Sequence, residues 1–98
     1  MPKKEWIKDL PDGFQLYVRQ DSLLGIWYGF SVVLIYEDEC VTRYDTAHKK
    51  AHRDVLGKTK GLITKEWHEN LSFKEAFEYA IDDLSKNYRT HLEFYLAH

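Results

Sequence analysis

The run Arg43-Tyr44-Asp45-Thr46-Ala47-His48-Lys49-Lys50-Ala51-His52-Arg53-Asp54 sets two histidines, two aspartates, two arginines and two lysines within twelve positions. Core packing does not require such residues, but phosphodiester chemistry without a metal does. Cleavage of RNA takes a base for the 2′-hydroxyl and an acid for the leaving 5′-oxygen, and imidazoles of near-neutral pKa can fill both roles. His48 and His52 are the candidate pair. Arg53, with Lys49 or Lys50, would offset charge developing on the phosphorus oxygens, and Asp45 or Asp54 would fix the tautomer of one imidazole. Tyr44 would donate a hydrogen bond or stack on a base.

The same residues admit other readings. His48 and His52, four apart, would share one face of a helix and could ligate a metal with Asp45 or Asp54. The segment reads as a strand end and loop, where that spacing fixes no common face, so no metal or cofactor is assigned. Binding without catalysis asks for less: a basic loop that holds RNA, a nucleotide phosphate or an acidic protein partner. Trp27, Tyr36 and Trp67 could widen such a surface. In a purely structural role, Asp45 would accept N–H groups of the turn and Arg53 would pair with Asp45 or Asp54 across the hairpin. His68, His91 and His98 stand isolated and receive no role.

Charge favours the anion readings. Residues 43–60 carry six Lys and Arg against two Asp, while the chain as a whole has a formal net charge of −2. A surplus of +4 in that stretch leaves −6 elsewhere, so the run is the basic exception on an acidic protein.

The elements that must position the run are those of one small domain over residues 1–98, of which 44% are apolar and 15% aromatic. No apolar run approaches the roughly 20 residues that span a bilayer, and no signal-peptide segment follows the basic start, so no membrane partner is expected. Cys40 is alone, which excludes an internal disulfide framework and suits a reducing cytoplasm. Residues 1–13 read as a polar segment ended by the turn signal Pro11-Asp12-Gly13. Phe14, Leu16 and Val18 alternate with Gln15, Tyr17 and Arg19, the pattern of a half-buried strand. Ile26 to Tyr36 is apolar at nearly every position, as in a central strand, with Glu37-Asp38-Glu39 as a charged turn after it. Strands from Val41, near His52 and from Leu62 follow over short connections. The expectation is an α+β fold: an antiparallel meander of four or five strands over residues 14–67. At 72–97 a single long helix opens on a Ser72/Glu75 capping box and carries the stripe Phe73, Phe77, Ala80, Ile81, Leu84, Tyr88, Leu92 and Tyr95. It would cover one sheet face, and the open face or a free edge would suit a homodimer.

Tyr44-Asp45-Thr46-Ala47-His48 followed by His52-Arg53-Asp54 resembles the pattern of a group of small, mainly archaeal, uncharacterised proteins. In that group the pattern is Tyr-Asp-x-Ala-His, three residues, then His-Arg-Asp, placed after two strands and before a C-terminal helix. Ala80-Ile81-Asp82-Asp83-Leu84 with Asn87 fits the same group. Lys49 departs from it, since the group has glycine there. More distantly, the segment resembles the TumE-like toxins of bacterial toxin–antitoxin pairs, which have a further histidine where this chain has Asp54. The toxin resemblance implies an attack on nucleic acid or another cellular target, and neither resemblance brings an established catalytic residue.

Overall fold

In a computed structural model, which describes residues 3–47 and 49–98, the turns dictate the architecture. Glu37 and Asp38, both at positive φ (49° and 63°), join β3 (Ile26–Tyr36) to β4 (Glu39–Ala47). Leu24 (φ 51°) and Gly25 (φ 80°) do the same between β2 (Phe14–Leu23) and β3. Two positive φ angles in a two-residue loop make a type I′ turn, whose twist matches that of the strands it joins. Lys49 (φ 64°) leads into β5 (Lys50–Gly57), and residues 58–60 lead from β5 to β6 (Gly61–Trp67). Connections this short permit only antiparallel neighbours, and the sheet order is β1-β2-β3-β4-β5-β6.

Among the described residues the sheet therefore has six strands, not four or five. The additional strand, β1 (Lys3–Asp9), lies within the stretch read as a polar segment, and it pairs with β2 from Lys3↔Asp21 to Asp9↔Gln15. All seven of its residues are exposed, and its two large apolar residues, Trp6 and Ile7, are adjacent and so face opposite sides.

The helical segment is also corrected. It is two helices, α1 (Phe73–Lys86) and α2 (Tyr88–Ala97), separated at Asn87 (φ −110°, ψ 22°). Asn87 is held there by Asp83, whose side chain accepts from Asn87 Nδ2 at 2.8 Å and whose carbonyl accepts the Asn87 N–H at 2.8 Å. The apolar stripe runs through this break, so periodicity alone reads one helix. The capping box is present: Ser72 Oγ accepts from the Glu75 N–H at 3.1 Å, and Glu75 accepts from the Ser72 N–H at 3.0 Å.

Both helices lie on one face of the sheet. Phe14, Leu16 and Val18 of β2 and Phe30, Val32 and Leu34 of β3 are buried beneath Ala76, Ala80 and Leu84 of α1. Phe77 packs its ring edge against Phe30 at 5.6 Å. Truncating a residue as enclosed as Leu84 to alanine costs about 2–5 kcal/mol in such cores. At its end α2 is tied to the β5–β6 turn by main-chain bonds, Lys58 N–H to Tyr95 O and Lys60 N–H to His98 O, each 2.9 Å. Gly57 makes this approach possible, because a Cβ there would lie 2.7 Å from the His98 backbone. Among the described residues no helix is long and apolar enough to cross a membrane.

Candidate functional site

A strand sends successive side chains to opposite faces, and β4 and β5 divide the charged run accordingly. The register sets Arg43 opposite Asp54, Tyr44 opposite Arg53, and Asp45 opposite His52. Tyr44 and Arg53 turn toward the helices; Arg43, Asp45, His52 and Asp54 turn toward the uncovered face. His52 and Arg53 therefore do not converge on one cleft. His48 lies outside the described residues. Lys49 sits in the turn at φ 64°, and Lys50 pairs with Glu69 at 3.0 Å.

On the helix side the centre is Asp83. Its Oδ2 accepts from the Tyr44 hydroxyl at 2.6 Å and lies 3.0 Å from His91 Nε2. With the His91 proton assigned to Nε2, Nδ1 is free to accept from Arg53 Nη1 at 3.4 Å. Arg53 also donates to Thr42 Oγ1 at 3.1 Å and pairs through Nε with Glu66 at 2.9 Å, not with Asp45 or Asp54. Burial pushes the Asp83 carboxyl up, but hydrogen bonds from His91, Tyr44 and Asn87 outweigh it and hold the group well below the usual range. Burial and the same carboxylate drive the Tyr44 hydroxyl far above its ordinary value. Every member has a partner, and the network clasps β4 and β5 to both helices.

On the uncovered face the centre is Asp54, only 2% exposed. Its Oδ2 accepts from Arg43 Nε at 2.6 Å and its Oδ1 from Lys65 Nζ at 2.7 Å. These two hydrogen bonds outweigh the upward push of burial and hold the carboxyl below its usual value. The cations above it remain open to solvent, with side chains 45% and 38% exposed. His52 packs on Trp67, ring centroids 5.0 Å apart, with Nε2 at 3.4 Å from both Asp54 Oδ1 and Lys65 Nζ. Burial, then the Lys65 charge, lowers its pKa. Its Nδ1 is buried with no hydrogen-bond partner among the described residues. Asp45 accepts from the Thr46 N–H at 2.7 Å and lies 3.8 Å from Arg19, which also pairs with Asp21 at 3.3 Å.

Sequence reasoning assigned roles to His52 and Asp54 and counted Arg43 only in the basic run, and it did not find Lys65 or Arg19, which lie on β6 and β2. Nor did it find Asp83 and His91 as partners of Tyr44 and Arg53. The signal for Asp83 and Asn87 was their place in the helix pattern that accompanies the run. Among the described residues no three His, Cys, Asp or Glu side chains group closely enough to hold a metal ion. No curated protein matches the chain. No solved structure does either. One family model matches it over residues 1–98, and the chain belongs to that family, the domain of unknown function DUF7718.

Proposed function

We propose that this chain is a binding domain for a phosphate-bearing ligand, with the uncovered sheet face around Asp54 as its site. The observation that carries the reading is a buried carboxylate fixing two half-exposed cations side by side. Asp54 takes only Nε of Arg43, which leaves its terminal nitrogens for an anion, and it takes one of three Lys65 protons. Two positive charges against one negative leave a surplus of one. The cations are pre-organised, so a ligand does not bear the entropy of ordering them. On the same face Arg19 is matched by Asp45 and Asp21, and Lys50 at the adjoining turn is matched by Glu69, so the surplus is local to Arg43 and Lys65.

The alternatives of RNA cleavage and of a toxin-like attack have less support. His52 is only 3% exposed beneath Lys65 and Trp67, and Arg53 is committed to the opposite face. Cys40, whose thiol burial pushes up, suits a reducing compartment such as the cytoplasm.

Titration with inorganic phosphate and tripolyphosphate, followed by calorimetry, tests the site. Wild-type protein should bind with an affinity that falls as salt rises, and Arg43→Gln with Lys65→Gln should weaken it at least tenfold. Glutamine offers Asp54 a neutral donor, and circular dichroism of the double variant, with Arg43→Lys as a charge-keeping control, separates lost binding from a lost fold. Unaltered binding in that double variant would move the site elsewhere.

A further inference from the structure

We infer that the phosphate held by Arg43 and Lys65 belongs to a nucleotide unit whose base lies in the groove beside Tyr17; this rests on the phosphate-binding reading above. The register sets groove and cations on one line. Ile7, Tyr17, Val33, Arg43, Asp54 and Lys65 are successive cross-strand partners from β1 to β6. With strands about 4.8 Å apart, the Cα of Arg43 is about 10 Å from that of Tyr17 on one side and of Lys65 on the other.

On β1 to β3 this face opens into a groove of about 630 Å³. That is the size of a small-molecule site, roughly 300–1,000 Å³. Ile7 and Val33 supply apolar surface, Tyr17 an aromatic ring 43% exposed, and Ser31, Arg19 and Glu5 polar groups for a base edge. Two buried side-chain atoms on this face, Asp21 Oδ1 and His52 Nδ1, have no hydrogen-bond partner among the described residues, while Arg19 Nε faces Asp21 Oδ2 at 3.3 Å. The His52 side chain is only 4% exposed.

Charge and shape agree on the occupant. The cations around Asp54 require an anion, while the groove requires a flat ring with polar edges, and a nucleotide joins the two within the span of two strands. Trp67, 47% exposed beside Lys65, offers a second ring at the other end of the line. Stacking on aromatic side chains is tolerant of base identity, as in other single-strand binders. The nucleotide unit can come from a free nucleoside monophosphate or from a single-stranded RNA, and the two are separated by experiment.

The test is a set of isothermal titrations with inorganic phosphate, a nucleoside 5′-monophosphate and a short single-stranded RNA. Both nucleotide ligands should bind more tightly than phosphate. Tyr17→Ala should remove that advantage, on the order of tenfold, without changing phosphate affinity, and Tyr17→Phe should restore it. RNA that binds more tightly than the monophosphate, with the difference lost in Trp67→Ala, identifies a single strand; equal affinities identify the free nucleotide. Equal binding of phosphate and monophosphate, or an unchanged Tyr17→Ala, overturns the nucleotide inference and leaves the cation site standing. Absence of all three interactions overturns both.

Discussion

Asp83 and Asp54 are two carboxylates on opposite faces of the same hairpin, and the molecule treats them differently. Asp83 is gripped by a buried tyrosine, a half-buried histidine and an exposed asparagine, each hydrogen-bonded to it. Asp54 is more deeply buried, yet its partners are two cations with exposed heads, beside a histidine whose Nδ1 has no partner among the described residues. The first arrangement turns its charged and hydroxyl groups inward onto one another and acts as a clasp. The second spends part of its donors on the protein and keeps the rest for solvent or a ligand. The lesson is that burial of a charge does not mark a site; what its partners still have to offer does.

The largest test of this contrast is Asp83→Ala. It strands the Tyr44 hydroxyl, His91 and Asn87, and should lower urea-unfolding stability by about 3 kcal/mol while phosphate affinity stays unchanged. If Asp54→Ala cost as much stability but left phosphate binding intact, the contrast would fail. Tyr44→Phe removes one charge-assisted bond of the clasp and should cost about 1.5 kcal/mol.

A smaller effect is expected with pH. The folded pKa of His52 lies below its ordinary 6.5, so the unfolded chain takes up the proton first. Stability from this group is fully present above 6.5 and declines as pH falls below it; His52→Gln should flatten that part of the curve. The depressed carboxyls of Asp54 and Asp83 extend the loss below 3.8, where unfolded aspartate protonates and folded aspartate does not. The smallest change serves as a control for both faces. Leu24, 92% exposed at φ 51°, touches neither cluster. Leu24→Asn, whose side chain tolerates that conformation, should raise stability by about 0.5–1 kcal/mol and leave ligand binding as it was.

Much of this was legible in the residues. Alternation in β2 and the capping box of α1 were written locally, and so were the charged residues of the β4–β5 hairpin. β1 was not legible, because an edge strand owes its structure to the β2 residues it pairs with and not to a pattern of its own. The break at Asn87 was hidden because Leu84, Tyr88 and Leu92 carry the apolar stripe across it. The division of the charged run follows from period two once both strands are assigned through position 54. A strand beginning near His52 already implies that His52 and Arg53 part, a consequence that grouping them by proximity in sequence left undrawn. Lys65, Arg19, Asp83 and His91 reach the hairpin only through tertiary contact, which no local spacing records.

The order of the strands has a consequence for how the chain is made. Each strand pairs with the one synthesised just before it, so the sheet can assemble hairpin by hairpin with little loop-closure entropy. Until α1 leaves the ribosome, however, Phe14, Leu16, Val18, Phe30, Val32 and Leu34 line a sheet face with nothing on it. A nascent chain stopped before Phe73 is therefore expected to aggregate or to be held by chaperones, while adding α1 and α2 releases it. Ribosome-bound chains of graded length, probed for chaperone crosslinking, would reveal that transition.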